Sequence, residues 1–122
     1  MLVDANSPTG WFGTEWNWQG HNGAAKIGYP QGVERGEIIQ VHRGGLARNN
    51  SIVSLRHGNL ADPRGGSGGA WVTPYAANFG DDTNYAISVS SFVYNSQPGV
   101  QFGPYFDGAF RQLFQYVERG CK

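Results

Sequence analysis

The sequence carries two kinds of hydrophobic spacing, and each predicts a different secondary-structure element. Through most of the chain, short runs of apolar residues alternate with polar ones and are separated by Gly, Pro, Asn and Ser. This pattern is typical of short strands joined by turns. The clearest case is Ala86–Tyr94 (AISVSSFVY), because β-branched and aromatic residues suit a pleated sheet. The predicted strands are 10–16, 24–29, 37–42, 51–56, 70–73 and 86–94.

The C-terminal segment has a helical period instead. Its apolar residues recur three and four positions apart, which places them on one face of a helix: Phe106, Phe110, Leu113, Phe114 and Val117. Asp107 is placed to cap the helix N-terminus and Gly120 to end it, so the helix is predicted over 107–119. The expected fold class is all-β, a single antiparallel β-barrel over 10–103 with this C-terminal α-helix, in one domain spanning 1–122.

Composition narrows the possible partners. The chain has 122 residues, of which 19 are Gly and 6 are Pro, and this frequency of turn formers argues against a helical bundle. Nine Lys and Arg balance nine Asp and Glu, so no positive excess is available to attract a phosphate backbone, and no nucleic-acid partner is expected. Apolar stretches stay well short of the ~20 residues that cross a bilayer, so we expect no membrane-spanning helix.

The chain termini are uninformative about export and redox state. The first ten residues contain Asp4 and no apolar run, so they do not read as a secretory signal. The single cysteine, Cys121, has no second cysteine in the chain to pair with.

The run 65–69 (GGSGG) is the motif with the most chemical meaning. Glycines before Ser67 allow backbone torsions that let consecutive N–H groups converge beside the hydroxyl, as an oxyanion hole requires. Glycines after Ser67 keep side chains away from its oxygen, as attack on a carbonyl requires. The same composition is also typical of a flexible loop, so the motif by itself leaves both interpretations open.

The context of this run resembles the trypsin-like (chymotrypsin-fold) serine peptidases, in particular their bacterial, glutamyl-endopeptidase-like branch. The run is similar to the family's G-x-S-G-G-P nucleophile loop, and Ile27–Pro30 is similar to its G-Y-P strand and turn. Arg35–Gln40 looks like the strand that follows, and Ser88–Phe92 like the G-V-T-S-W strand beside the specificity pocket. The order of these segments, with the C-terminal helix, covers the chain from about residue 11 to 121. The resemblance therefore implies the second of the family's two barrels, in a protein that would be secreted.

The resemblance also implies a set of site residues. Ser67 would be the acylated nucleophile, and the N–H groups of Gly65 and Ser67 would form the oxyanion hole. Ser91, Phe92 and Val93 would pair with the backbone of a peptide or ester substrate. No cofactor is implied.

The family takes its catalytic His and Asp from the first barrel, which has no counterpart here, and a serine without a base is a poor nucleophile. The base would come from a missing N-terminal barrel, a separate chain or a second copy in a homodimer.

None of the three histidines is expected to act as the catalytic base for Ser67. His57 corresponds to a pocket-wall position that the bacterial branch often fills with His, and we expect it to be hydrogen-bonded there. His21 lies in an Asn/Gly-rich stretch and is expected to be solvated, and His42 ends a predicted strand. None of them has metal-ligand spacing, so no metal site is expected.

A second interpretation is a non-catalytic module that binds carbohydrate or peptide. The first 30 residues are rich in aromatic side chains, which stack on sugar rings when exposed and bury large areas when packed. These residues are Trp11, Phe12, Trp16, Trp18 and Tyr29. Their burial in the structure decides between the two roles.

Overall fold

The computed structural model describes residues 12–58, 66–75 and 84–122. Its elements are, in chain order, the strands β1 (Gly13–Thr14), β2 (Gly23–Gly28), β3 (Gln40–Asn49), β4 (Ile52–Arg56), β5 (Ala70–Thr73), β6 (Tyr85–Val89) and β7 (Val100–Pro104), and the helix α1 (Gly108–Glu118). A 3-10 turn at Glu34–Gly36 joins β2 to β3. The strands form one sheet in the order β1-β6-β5-β2-β3-β4-β7. All neighbours are antiparallel except β1 and β6.

The expectation of a mostly β chain with a C-terminal helix is confirmed, whereas the single closed barrel is not. The hydrogen-bond ladder of the described strands has β1 and β7 at its two edges, and no ladder between β6 and β7 closes it. Two contacts bring β7 near β6 and the segment after it: the Ser88 hydroxyl donates to the Pro104 carbonyl at 2.7 Å, and Phe92, beyond the end of β6, pairs with Phe102 as an isolated bridge. β6 ends at Val89 and β7 at Pro104, and these isolated contacts do not form a ladder between the two strands.

The core lies on one face of this curved sheet. Val53 and Leu55 alternate along β4 and are fully buried, together with Trp71 from β5 and Ile87 from β6. The polar ends of the buried aromatic side chains have partners, as low-dielectric burial requires. Trp18 Nε1 donates to the Ile87 carbonyl at 3.1 Å. The Tyr105 hydroxyl donates to the Trp18 carbonyl at 2.7 Å, and Trp71 Nε1 donates to the Ser90 hydroxyl at 3.0 Å.

Helix α1 begins and ends where the sequence indicates. The Asp107 carboxylate accepts from the amides of Ala109 and Phe110, at 2.9 and 3.1 Å, which satisfies two N–H groups of the first turn. Gly120 has φ +73° and donates to the Val117 carbonyl, so it terminates the helix in the left-handed conformation. Within the described residues α1 is the only α-helix, and it is too short to cross a membrane.

Several strand boundaries in the structure differ from those predicted from the sequence. β3 spans Gln40–Asn49 rather than the predicted 37–42. It continues through Gly44 and Gly45 because these glycines pair with Ala24 and Gly23 of β2. β6 stops at Val89, five residues before its predicted end. β7 is not predicted at all, because its Gly and Pro hide the alternation of the other residues.

Candidate active site

Ser67 lies at a tight turn at the start of β5. The Gly66 carbonyl accepts from the Gly69 amide at 3.1 Å, which closes a four-residue turn with Ser67 in its second position. Gly68 occupies the third position with φ +79°, a conformation that favours glycine. The Ser67 side chain is exposed at the tip of the turn. The glycines thus form a defined bend rather than an open flexible loop.

The turn is held on both sides by neighbouring strands. The Gly68 amide donates to the Ser90 carbonyl at 2.7 Å, and the Ser90 amide donates back to the Gly69 carbonyl at 2.9 Å. On the other side, a Cβ at position 69 would overlap the carbonyl oxygen of Ile27 at the end of β2. The backbone of β2 therefore approaches the turn as closely as a glycine allows.

The Ser67 amide of the turn remains available for a ligand. The N–H groups of Gly68 and Gly69 are both bonded within the protein. The Ser67 N–H has no acceptor among the described residues, and neither does its hydroxyl. Gly65, the second predicted oxyanion donor, lies outside the described residues. Ser67 thus offers a free N–H donor beside its own free hydroxyl.

The predicted substrate-pairing segment directly follows Ser90. The amides of Ser91 and Phe92 donate to the Phe102 carbonyl, at 2.9 and 3.2 Å, and the Phe102 amide donates to the Phe92 carbonyl at 2.8 Å. Because a peptide group is planar and trans, the Ser91 carbonyl and the Val93 amide point away from β7. Neither has a hydrogen-bond partner among the described residues. This segment is therefore an open strand edge with an acceptor and a donor two residues apart.

A shallow apolar cavity of about 320 Å³ lies on the opposite side of the turn. Its walls are the turn 66–69 and the side chains or backbone of Ile27, Gly28, Tyr29 and Ile39. Tyr29 and Ile39 are about half exposed. Ser67 therefore lies between an open strand edge and an apolar depression, and both are accessible to a ligand.

The inward-facing histidines lie beside a buried lysine. His42 in β3 is paired across the sheet with Lys26 in β2, and the rings of His42 and His57 are 6.2 Å apart. Lys26 is only 1% exposed. Burial lowers the pKa of both imidazoles, and the charge of Lys26 lowers it further. Burial also lowers the pKa of the Lys26 ammonium.

The expectations for the individual histidines need correction. Both ring nitrogens of His57 are buried without a hydrogen bond, so the hydrogen bond predicted for this residue is wrong. His21 is not simply solvated, because its Nε2 lies 2.8 Å from a Glu15 carboxylate oxygen and its ring packs 5.6 Å from that of Trp18. His42 lies inside β3 rather than at its end. None of the three hydrogen-bonds to Ser67.

The described members of the aromatic N-terminal segment are partly used in packing. Trp18 belongs to the core, and the Trp16 ring lies 5.8 Å from that of Phe114 on α1. Phe12 and Tyr29 remain exposed, and Trp11 lies outside the described residues. The segment therefore does not form a row of free rings.

The sequence gives no indication that two polar residues near this site are buried and paired. Lys26 and Gln101 are buried in the protein interior, with only 1% and 3% of their surface exposed. Lys26 Nζ donates a hydrogen bond to Gln101 Oε1 at 2.9 Å. Alternation in β2 would place either Ala25 and Ile27 or Ala24 and Lys26 inward, and the apolar pair is the natural choice. Gln101 belongs to the unpredicted strand β7. No three His, Cys, Asp or Glu side chains gather as metal ligands in the described ranges.

Comparison with solved structures finds this fold in two proteases. The thermostable serine protease AL20 from an extremophilic microorganism is 24% identical with a TM-score of 0.64, and the match covers 85% of this chain and 46% of that one. The protease Anisep from Arthrobacter nicotinovorans is 22% identical with a TM-score of 0.67, and the match covers 86% and 47%. No protein-family model and no curated protein matches the sequence. The chain thus has a chymotrypsin-like fold and spans about half the length of each protease.

Proposed function

We propose that this chain is the nucleophile-bearing half of a serine hydrolase that cleaves peptide or ester bonds, with Ser67 Oγ as the nucleophile. The observation that carries the proposal is the pair of hydrogen bonds between the Ser67 turn and Ser90. They hold the free Ser67 hydroxyl and amide next to the open edge at Ser91–Val93. A carbonyl group bound along that edge would have a nucleophile and a hydrogen-bond donor beside it.

In the proposed reaction, Ser67 Oγ attacks the acyl carbon while its proton passes to a base. The developing oxyanion accepts from the Ser67 N–H and from the Gly65 N–H as a second donor. Collapse of the tetrahedral intermediate transfers the proton to the leaving group and leaves an ester on Ser67. Water then hydrolyses that ester and restores the hydroxyl.

The assignment to the glutamyl-endopeptidase-like branch remains a prediction.

We propose that the base comes from a second unit. That unit is a His-bearing N-terminal barrel, a separate chain or a second copy of this one. Apolar side chains left exposed on α1 support such an association, with Leu113 at 59% and Tyr116 at 46% exposure. Light scattering over a range of concentrations would measure whether the chain alone forms a dimer.

Labelling with a fluorophosphonate tests Ser67 without requiring turnover. We expect the reagent to modify Ser67, and we expect added imidazole to accelerate this by supplying the missing base. The rate should follow the concentration of neutral imidazole rather than of imidazolium. Peptide mass spectrometry identifies the modified residue.

Ser67→Ala and Ser96→Ala form a matched pair of variants, because Ser96 is also an exposed serine in a turn. Ser67→Ala should abolish the imidazole-dependent labelling, and Ser96→Ala should retain it. Equal modification of Ser67 and Ser96, or a Ser67 rate that ignores imidazole, would contradict the proposal.

A further inference from the structure

Two buried side chains form a series of hydrogen bonds that ends at the open strand edge. Lys26 Nζ donates to Gln101 Oε1 at 2.9 Å, and Gln101 Nε2 donates to the Phe92 carbonyl at 2.9 Å. Both polar side chains are almost fully inaccessible to solvent. A buried amide that lost either partner would retain its desolvation cost, so this arrangement is strongly constrained.

The chemistry of the partners fixes the orientation of the Gln101 amide. A backbone carbonyl can only accept a hydrogen bond, so the NH₂ group of Gln101 must face Phe92. The amide oxygen then faces Lys26, whose Nζ supplies the donor. The reversed amide would place two oxygens together at Phe92. Gln101 is therefore a directional link, which an acidic or an apolar side chain would break.

This link acts on the peptide group between Phe92 and Val93. The Phe92 carbonyl accepts from both Gln101 Nε2 and the Phe102 amide, so both of its lone pairs are used. The Val93 N–H belongs to the same planar group and points in the opposite direction. Two bonds on the carbonyl therefore hold the Val93 N–H toward the open side of the edge.

We propose that Gln101 is a positioning residue, which orients the Val93 amide to donate to a main-chain carbonyl of an extended peptide. This rests on the proposed function, since the peptide is the one acylating Ser67. The ligand class is a peptide that reaches at least two residues beyond its reacting carbonyl, bound as an added strand. A short acyl compound would reach Ser67 without using Val93.

Two phosphonate probes separate positioning from general structural damage. One is a tripeptidyl diphenyl phosphonate, whose backbone reaches the edge, and the other is a simple alkyl fluorophosphonate. Both form a bond from Ser67 Oγ to phosphorus and expel phenol or fluoride. Gln101→Glu should slow the peptidyl probe by roughly 3- to 10-fold, the value of one hydrogen bond, and leave the alkyl probe unchanged. Gln112→Glu makes the same replacement on the exposed face of α1 and should change neither rate.

Gln101→Glu is the informative variant because it can still accept from Lys26 while losing its donor to Phe92. Lys26→Met removes the other end of the chain and should slow the peptidyl probe in the same selective way. Backbone relaxation of the Val93 amide gives a readout that needs no labelling. We expect its order parameter to fall in Gln101→Glu and to stay unchanged in Gln112→Glu.

The outcomes distinguish the two proposals. Equal slowing of both probes, or slowing of neither, would overturn the role of Gln101. If neither probe modifies Ser67 in the unaltered chain, the proposed function fails. An unchanged Val93 amide in Gln101→Glu would overturn the positioning role in any case.

Discussion

The cluster of Lys26, His42 and His57 predicts that the fold loses stability in mild acid. Both ring nitrogens of His57 are buried and unbonded, so the structure accommodates the neutral imidazole. Burial and the Lys26 charge lower the pKa of His57 and of His42 below the ordinary value of 6.5. Protonating either ring would place a second cation beside a buried ammonium. Among the described residues, the charged group facing these rings is Lys26 from β2, and the two rings also face each other at 6.2 Å.

The sign and the upper limit of the effect follow from proton linkage. Between the folded-state pKa and 6.5, the unfolded chain binds more protons than the folded chain. The free energy of unfolding therefore rises with pH in that window. The stability that depends on keeping these two histidines neutral is fully present above pH 6.5. It is lost as the pH drops toward the pKa values of the histidines in the folded chain. Each histidine adds at most about 1.4 kcal/mol per pH unit to the slope, so the pair adds at most about 2.8 kcal/mol per pH unit.

Urea unfolding between pH 5 and 7.5 measures this slope directly. His57→Phe removes one of the two titrations and should reduce the slope by up to about 1.4 kcal/mol per pH unit, whatever constant offset the phenyl ring introduces. Lys26→Met should also flatten the slope, because it removes the charge that lowers the pKa of both histidines. A slope unchanged in His57→Phe, or stability that declines from pH 5 to 7, would refute the reasoning.

Three further substitutions test the packing that positions the site. Leu55→Ala should lower the free energy of unfolding by about 2–5 kcal/mol in urea titrations, because Leu55 is fully buried in the core. Asp107→Ala should cost about 0.5–2 kcal/mol by thermal or urea unfolding, and Asp107→Ser should recover most of it by restoring an acceptor for the helix N-terminus. Gly69→Ala should slow phosphonate labelling of Ser67, because the new Cβ overlaps the Ile27 carbonyl and displaces the turn; labelling as fast as in the unaltered chain would contradict this close approach.

Local features of the fold could be predicted from the sequence. The N-cap at Asp107 and the end at Gly120 depend on residues within one helical turn, and both are confirmed. Strand β5 has the predicted bounds because Ala70–Thr73 lies between a glycine turn and a proline. The bend at Ser67 likewise follows from glycines that are adjacent in sequence.

Features set by long-range pairing could not be predicted in this way. β7 is identified by its pairing with β4, about 50 residues earlier in the chain, and not by its own alternation. Lys26 can be buried because Gln101, 75 residues later in the chain, accepts its hydrogen bond. Neither residue indicates the other in the sequence. The open ladder between β6 and β7 depends on the same long-range geometry. A single sequence therefore indicates the glycine-flanked turn at Ser67 but not the hydrogen bonds that hold its neighbouring edge.

The central claim is that Ser67 reacts while a substrate backbone lies along the neighbouring strand edge. A crystal structure of the chain after reaction with the tripeptidyl phosphonate tests it most directly. The account predicts a bond from Ser67 Oγ to phosphorus, a phosphoryl oxygen within hydrogen-bond distance of the Ser67 N–H, and the peptide paired with the Val93 N–H. Phosphorus on another residue, or a peptide that leaves the Val93 amide unpaired, would contradict it.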